Sequence, residues 1–159
     1  MLAMYLVMVV GLMVVLPIVS IVVELIVAPG SDPLTVTGKW FLFWGAGMRL
    51  FTAGLSQITR PQFTAQNILG ETSTTSNQLV QELGFANLGL GVVGILGPWM
   101  PGWLVPAAIA PAIFLLAAGI RHIVKPGKNA KELIATLSDL LVGLVLAVFV
   151  VWSLAAGAA

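Results

Sequence analysis

From Leu2 to Val27 the chain carries one charged side chain, Glu24, and is otherwise apolar apart from Gly11, Pro17 and Ser20. A helix of that length crosses a hydrocarbon core of ~30 Å, and a helix that is apolar on every face needs an apolar surround. The alternative, a cleaved signal peptide, lacks its basic n-region here, and the apolar run exceeds the ~7–15 residues of an h-region, so a retained helix is expected. The rest of the chain agrees: 59% of its 159 residues are hydrophobic and 8% charged, far below the roughly 25% charged residues of a soluble domain. The expected fold class is an all-α integral membrane protein. A net charge of +1 gives no footprint for nucleic acid. The absence of cysteine and the single histidine, His122, leave no donor set for a Cys-type zinc site, an iron–sulfur cluster, or a His-rich metal or bis-His haem site within one chain.

Five spans are predicted: helices over about 2–27, 40–58, 79–96, 103–124 and 132–156, an N-terminal helix added to a four-helix core, all in one transmembrane domain covering 1–159. Loop chemistry separates them. APGSDPLTVTG, GPWMPG and KPGKNAK are turn-rich, and the polar stretch 59–78 is the longest loop, where Phe63, Ile68 and Leu69 suit a short interfacial segment. Pro17 reads as a packing kink. Arg60, Arg121, Lys125, Lys128 and Lys131 fall on the side of the N-terminus, with only Lys39 opposite, which places the N-terminus in the cytoplasm and the C-terminus outside. Trp40, Trp44, Trp99, Trp103 and Trp152 map to the outer ends of their spans, as an interfacial belt does.

The second span holds Arg49 near its middle, at a cost of roughly 2.5–3.5 kcal/mol on insertion scales. Counting inward from the tryptophans at the helical rise puts Arg49, Asn87 and Asp139 roughly 13, 18 and 20 Å deep, in one layer. Asp139 is the acid at that depth, so an Arg49–Asp139 ion pair is expected, with Asn87 adding a hydrogen bond; the plainer alternative is a structural staple between spans two and five. A second layer, Gln57, Arg60, Glu82 and His122, lies roughly 25–30 Å below the belt, where Glu82 suits a pairing with Arg60 or His122, or simple contact with headgroups. Glu24 and Lys39 form a third, outer pair, read as structural. Any cavity is expected between spans two, three and four, lined by Gln57, Glu82, Asn87 and His122, where glycines make room. Enzyme motifs are absent. GLGLGVVG fits GxGxxG formally, yet lies inside an apolar span with no preceding strand, so Gly89, Gly91 and Gly94 read as helix-packing residues.

The stretches RLFTAGLSQITRP, ELGFANLGLGVVGIL and SDLLVGLVL, in that order, resemble a family of small, uncharacterised bacterial multi-span proteins and, more distantly, the DoxX-like group. Arg49 with Gly54, and Glu82 with Gly89, Gly91 and Gly94, carry the likeness, whereas Gln57 stands where that group often has lysine. The resemblance implies a bacterial inner-membrane protein linked to membrane redox metabolism. The reading taken is an accessory subunit of a membrane complex, associated with quinone or lipid through its buried polar layer and more a binding protein than an enzyme. Membrane lipids, a membrane protein partner or a second copy are the expected partners. One rival is a small oligomeric transporter or channel for a proton or small anion, in which Arg49, Glu82, His122 and Asp139 line the path. Another is an intramembrane enzyme with Glu82 and His122 as acid and base.

Overall fold

The computed structural model describes residues 2–66, 70–124, 127 and 130–157; Lys125, Lys128, Ile68 and Leu69 of the expectations above lie outside them. Helix α1 runs over 2–27, with Leu2–Val10 and Leu16–Val27 joined by a π-helical turn, Gly11–Val15. The widened turn has a local cause. Pro17 has no N–H to return to the preceding turn, and just before it the N–H of Leu16 reaches back five residues to the carbonyl of Gly11.

Helix α2 covers 33–59 as Pro33–Trp40, a π-helical segment Phe41–Met48, and Arg49–Thr59. It begins seven residues before the expected Trp40, because Asp32 caps it: the Asp32 carboxylate accepts from the Thr35 N–H at 2.7 Å, and Pro33 occupies the first turn. A short helix α3, Pro61–Thr64, follows and contains Phe63. Helix α4, Thr74–Leu96, starts inside the expected loop, capped by Ser73 accepting from the Ser76 N–H at 3.0 Å. A 3-10 turn, Gly97–Trp99, leads to α5, Leu104–Val124, and then α6, Ala130–Ala155.

Four helices are long and apolar enough to cross a membrane: α1 over Leu6–Val27, α4 with its following turn over Thr74–Trp99, α5 and α6. Helix α2 is not among them, since Lys39, Arg49 and Gln57 dilute its apolar residues, although its length of roughly 40 Å by the helical rise is sufficient. It occupies the centre instead, packing against α1, α4, α5 and α6. The outward faces are strongly apolar: Val7, Ile26, Val27, Ile113, Val124, Leu137 and Val151 are all well exposed, a surface that calls for lipid or a partner.

Glycines set the register. A methyl on Gly54 would lie 2.6 Å from the backbone nitrogen of Leu88, one on Gly47 2.8 Å from the carbonyl carbon of Gly94, and one on Gly91 would strike the backbone of Phe51. Helices α2 and α4 are thus antiparallel with backbones in contact, a small-residue seam of the kind that brings membrane helices close. Gly89, by contrast, faces open space. A methyl on Gly45 would lie 3.1 Å from the Val142 side chain, which sets α2 against α6, and one on Gly119 would strike Leu140, which sets α5 against α6.

Candidate functional site

That register determines which polar groups meet. From the Gly45–Val142 contact, four residues on along α2 and three back along antiparallel α6 bring Arg49 level with Asp139. The two nevertheless form no ion pair within 4.0 Å. The expected contact is therefore corrected to a longer-range one, in which the charges of Arg49 and His122 are those that act on buried Asp139. The guanidinium Nε of Arg49 is buried and has no hydrogen-bond partner. The π-helical segment that ends at Met48 is the immediate local cause of where Arg49 points: the Arg49 N–H reaches the Trp44 carbonyl five residues back, a widened turn of the type that recurs at functional sites.

Asn87 is drawn to the other layer. Its Nδ2 donates to Gln57 Oε1 at 2.7 Å across the α2/α4 seam, and both residues are buried. Its Oδ1 is buried and unpartnered. Depth counted from tryptophans ignores the offset between helices, and the glycine register places Asn87 near Gly54, closer to Gln57 than to Arg49.

Glu82 and Arg60 are both exposed and make no ion pair among the described residues, so the pairing of Glu82 with Arg60 or His122 is corrected too. The reason is angular. Val80, Gly84, Asn87 and Gly91 form the inward face of α4 at helical spacing, and Glu82 lies half a turn from both Val80 and Gly84. His122 instead meets Glu132, its Nδ1 3.2 Å from Glu132 Oε1. Glu132 is 1% exposed and the His122 side chain 20%. Glu132 was not among the residues expected at the site; the available signal was its seven-residue spacing from Asp139, which puts both on one face of α6.

At the opposite end Lys39 Nζ sits 2.9 and 3.0 Å from the two carboxylate oxygens of Glu24, and Trp40 Nε1 donates to the same carboxylate at 2.6 Å. The ammonium also lies about 5 Å from the ring centroids of Trp40 and Trp99, which stack edge-on with Phe43. Two grooves border α1. One, of about 320 Å³, is lined by Val19, Ser20, Val23, Glu24, Val27 and Trp40; the other, of about 230 Å³, separates α1 from α6 at Val9, Val10, Leu137 and Ser138. Neither of these two touches Gln57, Glu82, Asn87 or His122.

Chemically, the described residues offer one buried unpaired donor, Arg49 Nε, two buried unpaired acceptors, Asn77 Oδ1 and Asn87 Oδ1, and a buried acid, Asp139, near Arg49 and His122. Among the described residues no group of three His, Cys, Asp or Glu side chains is placed to hold a metal ion. No curated protein and no solved structure matches the chain. A family model does match, over residues 4–158, and the chain belongs to that family, DUF6790, a family of unknown function.

Proposed function

We propose that the protein is a polytopic inner-membrane protein whose interior polar layer holds the polar head of a lipophilic molecule, a quinone or a lipid, within a larger membrane complex. One observation carries this reading: Arg49 Nε and Asn87 Oδ1, a donor and an acceptor, are both buried and unsatisfied. Each such group costs about 1–3 kcal/mol, and a head with a carbonyl and a hydroxyl answers both. By the Gly47–Gly94 register they are separated along the seam by about 8 Å at the helical rise, within the reach of an arginine side chain and a ring-sized head. The resemblance of Arg49, Gly54 and the α4 glycines to the DoxX-like group points to membrane redox metabolism as well.

In this reading α2 also crosses, shielded by the other four helices, and makes five spans with the N-terminus in the cytoplasm and the C-terminus outside. The exposed positions of Arg60 and Arg121 at one end and the Trp40–Trp99 cluster at the other support that orientation. A reporter fused after Ala159 is expected to signal from outside; a cytoplasmic signal gives an even number of spans and removes α2 as a span. The functional test is purification from native membranes under mild detergent, followed by solvent extraction and mass spectrometry. One quinone or lipid species at near-stoichiometric yield, with a membrane enzyme in the same fraction, is the expected result. Bulk lipid alone in proportion to membrane composition counts against it.

A further inference from the structure

The ionisable side chains of α6 are confined to one half of the helix, and past Asp139 the next buried polar side chain on it is Ser153, near its far end. Glu132, Thr136 and Asp139 recur at four- and three-residue steps, lie on one face, and are all buried. The same face continues as Gly143, Leu146 and Val150, and around it Leu42, Val142, Leu146 and Phe149 are fully buried in a single apolar cluster. The bundle is therefore polar inside from its Glu132 end to Asp139 and sealed beyond it.

His122 stands where the polar half meets solvent. Its Nδ1 is held by Glu132, and its Nε2 makes no hydrogen bond among the described residues. From the Gly119–Leu140 contact, three residues on along α5 bring His122 level with Leu137, between Glu132 and Asp139. The charged groups acting on Asp139 are His122 from α5 and Arg49 from α2. Helix α1, which covers this stretch of α6, presents Leu6, Val9, Val10 and Val14 there and no charge.

We propose that His122 and Asp139, with Glu132 as the positioning residue, form a one-sided proton path through which Asp139 exchanges protons with solvent only at the Glu132 end. A proton from water binds the free imidazole nitrogen, making the imidazolium, whose charge the Glu132 carboxylate offsets. The imidazolium then gives up one proton to the Asp139 carboxylate, leaving a neutral ring and a neutral acid. Release runs the same steps backwards. No net charge crosses the membrane, because the Leu42, Leu146 and Phe149 cluster holds no group able to accept the proton. The path does not depend on a lipophile being bound.

The test follows the Asp139 carboxyl band by time-resolved infrared spectroscopy after a pH jump on the full chain in nanodiscs, with D139N identifying the band. In H122Q and H122A protonation is expected to slow by roughly 10²-fold, the low end of what a positioned proton-transfer group supplies. Free imidazole is expected to restore the rate in H122A, which a merely structural role for His122 does not produce. E132Q, which keeps the ring in place, is expected to slow exchange less, and it stands in for the His122 variants if they fail to fold. Dye-loaded vesicles containing the wild-type chain are expected to leak protons no faster than empty ones. Unchanged rates in both His122 and Glu132 variants, a slow H122A that imidazole does not rescue, a band that survives D139N, or a steady proton leak each overturns the proposal.

Discussion

Gly91→Val is expected to separate α2 from α4 and cost about 3 kcal/mol or more in stability. Overpacking a tight contact costs about 1–3 kcal/mol when side chains can give way, but the atoms facing Gly91 include the backbone nitrogen and Cα of Phe51, which cannot move without the whole of α2. Gly54 meets the backbone of Leu88 in the same way, so Gly54→Val is expected to behave alike. Gly89 on the same helix faces open space, and Gly89→Ala is expected to be neutral or to stabilise by up to about 1 kcal/mol through helix propensity alone. Thermal unfolding in detergent, read by circular dichroism, separates the three. A Gly91→Val protein that melts with the wild type contradicts a backbone-to-backbone seam, and with it the register that places Asn87 beside Gln57.

Much of this arrangement was legible in the sequence, and the parts that were not share a cause. The apolar runs gave the helices, and of the glycines read as packing residues Gly91 and Gly94 do lie on the inward face of α4, while Gly89 does not. The Glu24–Lys39 contact was also reachable, since two charges flank one short turn at the same end of their helices. Depth along each helix was estimated well enough to set Arg49 and Asp139 level. What a one-dimensional count misses is rotation about the helix axis and stagger between helices. Rotation turns Glu82 outward and Glu132 inward, exchanging the partner of His122. Stagger moves Asn87 from Arg49 to Gln57. Glycine spacing alone likewise does not say whether small residues open a space or close one, and at Gly47, Gly54 and Gly91 they bring the backbones of α2 and α4 together.

The second large effect concerns Asp139. Asp139→Leu is expected to destabilise the protein by about 2 kcal/mol, below the roughly 3–5 kcal/mol of removing one member of a buried pair in contact, because the longer-range opposite charge that acts on the Arg49 guanidinium is then lost. Adding Arg49→Met is expected to recover most of that loss, since replacing both charged groups by apolar ones of similar size is commonly neutral or stabilising. The comparison is a double-mutant cycle of unfolding free energies. Equal, additive losses contradict electrostatic coupling between α2 and α6. The double variant also separates folding from binding: it keeps the bundle and removes the unpaired donor.

The measurement closest to the central claim is therefore the amount of lipophile retained by the purified wild type and by the R49M/D139L double variant, extracted and quantified from equal amounts of folded protein. Loss of a charged hydrogen-bond donor is worth about 1.5–3 kcal/mol, or roughly 10- to 150-fold in affinity. The account predicts a specific quinone or lipid retained by the wild type and lost from a double variant that melts at the same temperature or higher. Equal retention by the two, or a wild-type protein that carries no specific lipophile, contradicts a head-binding role for the layer around Arg49.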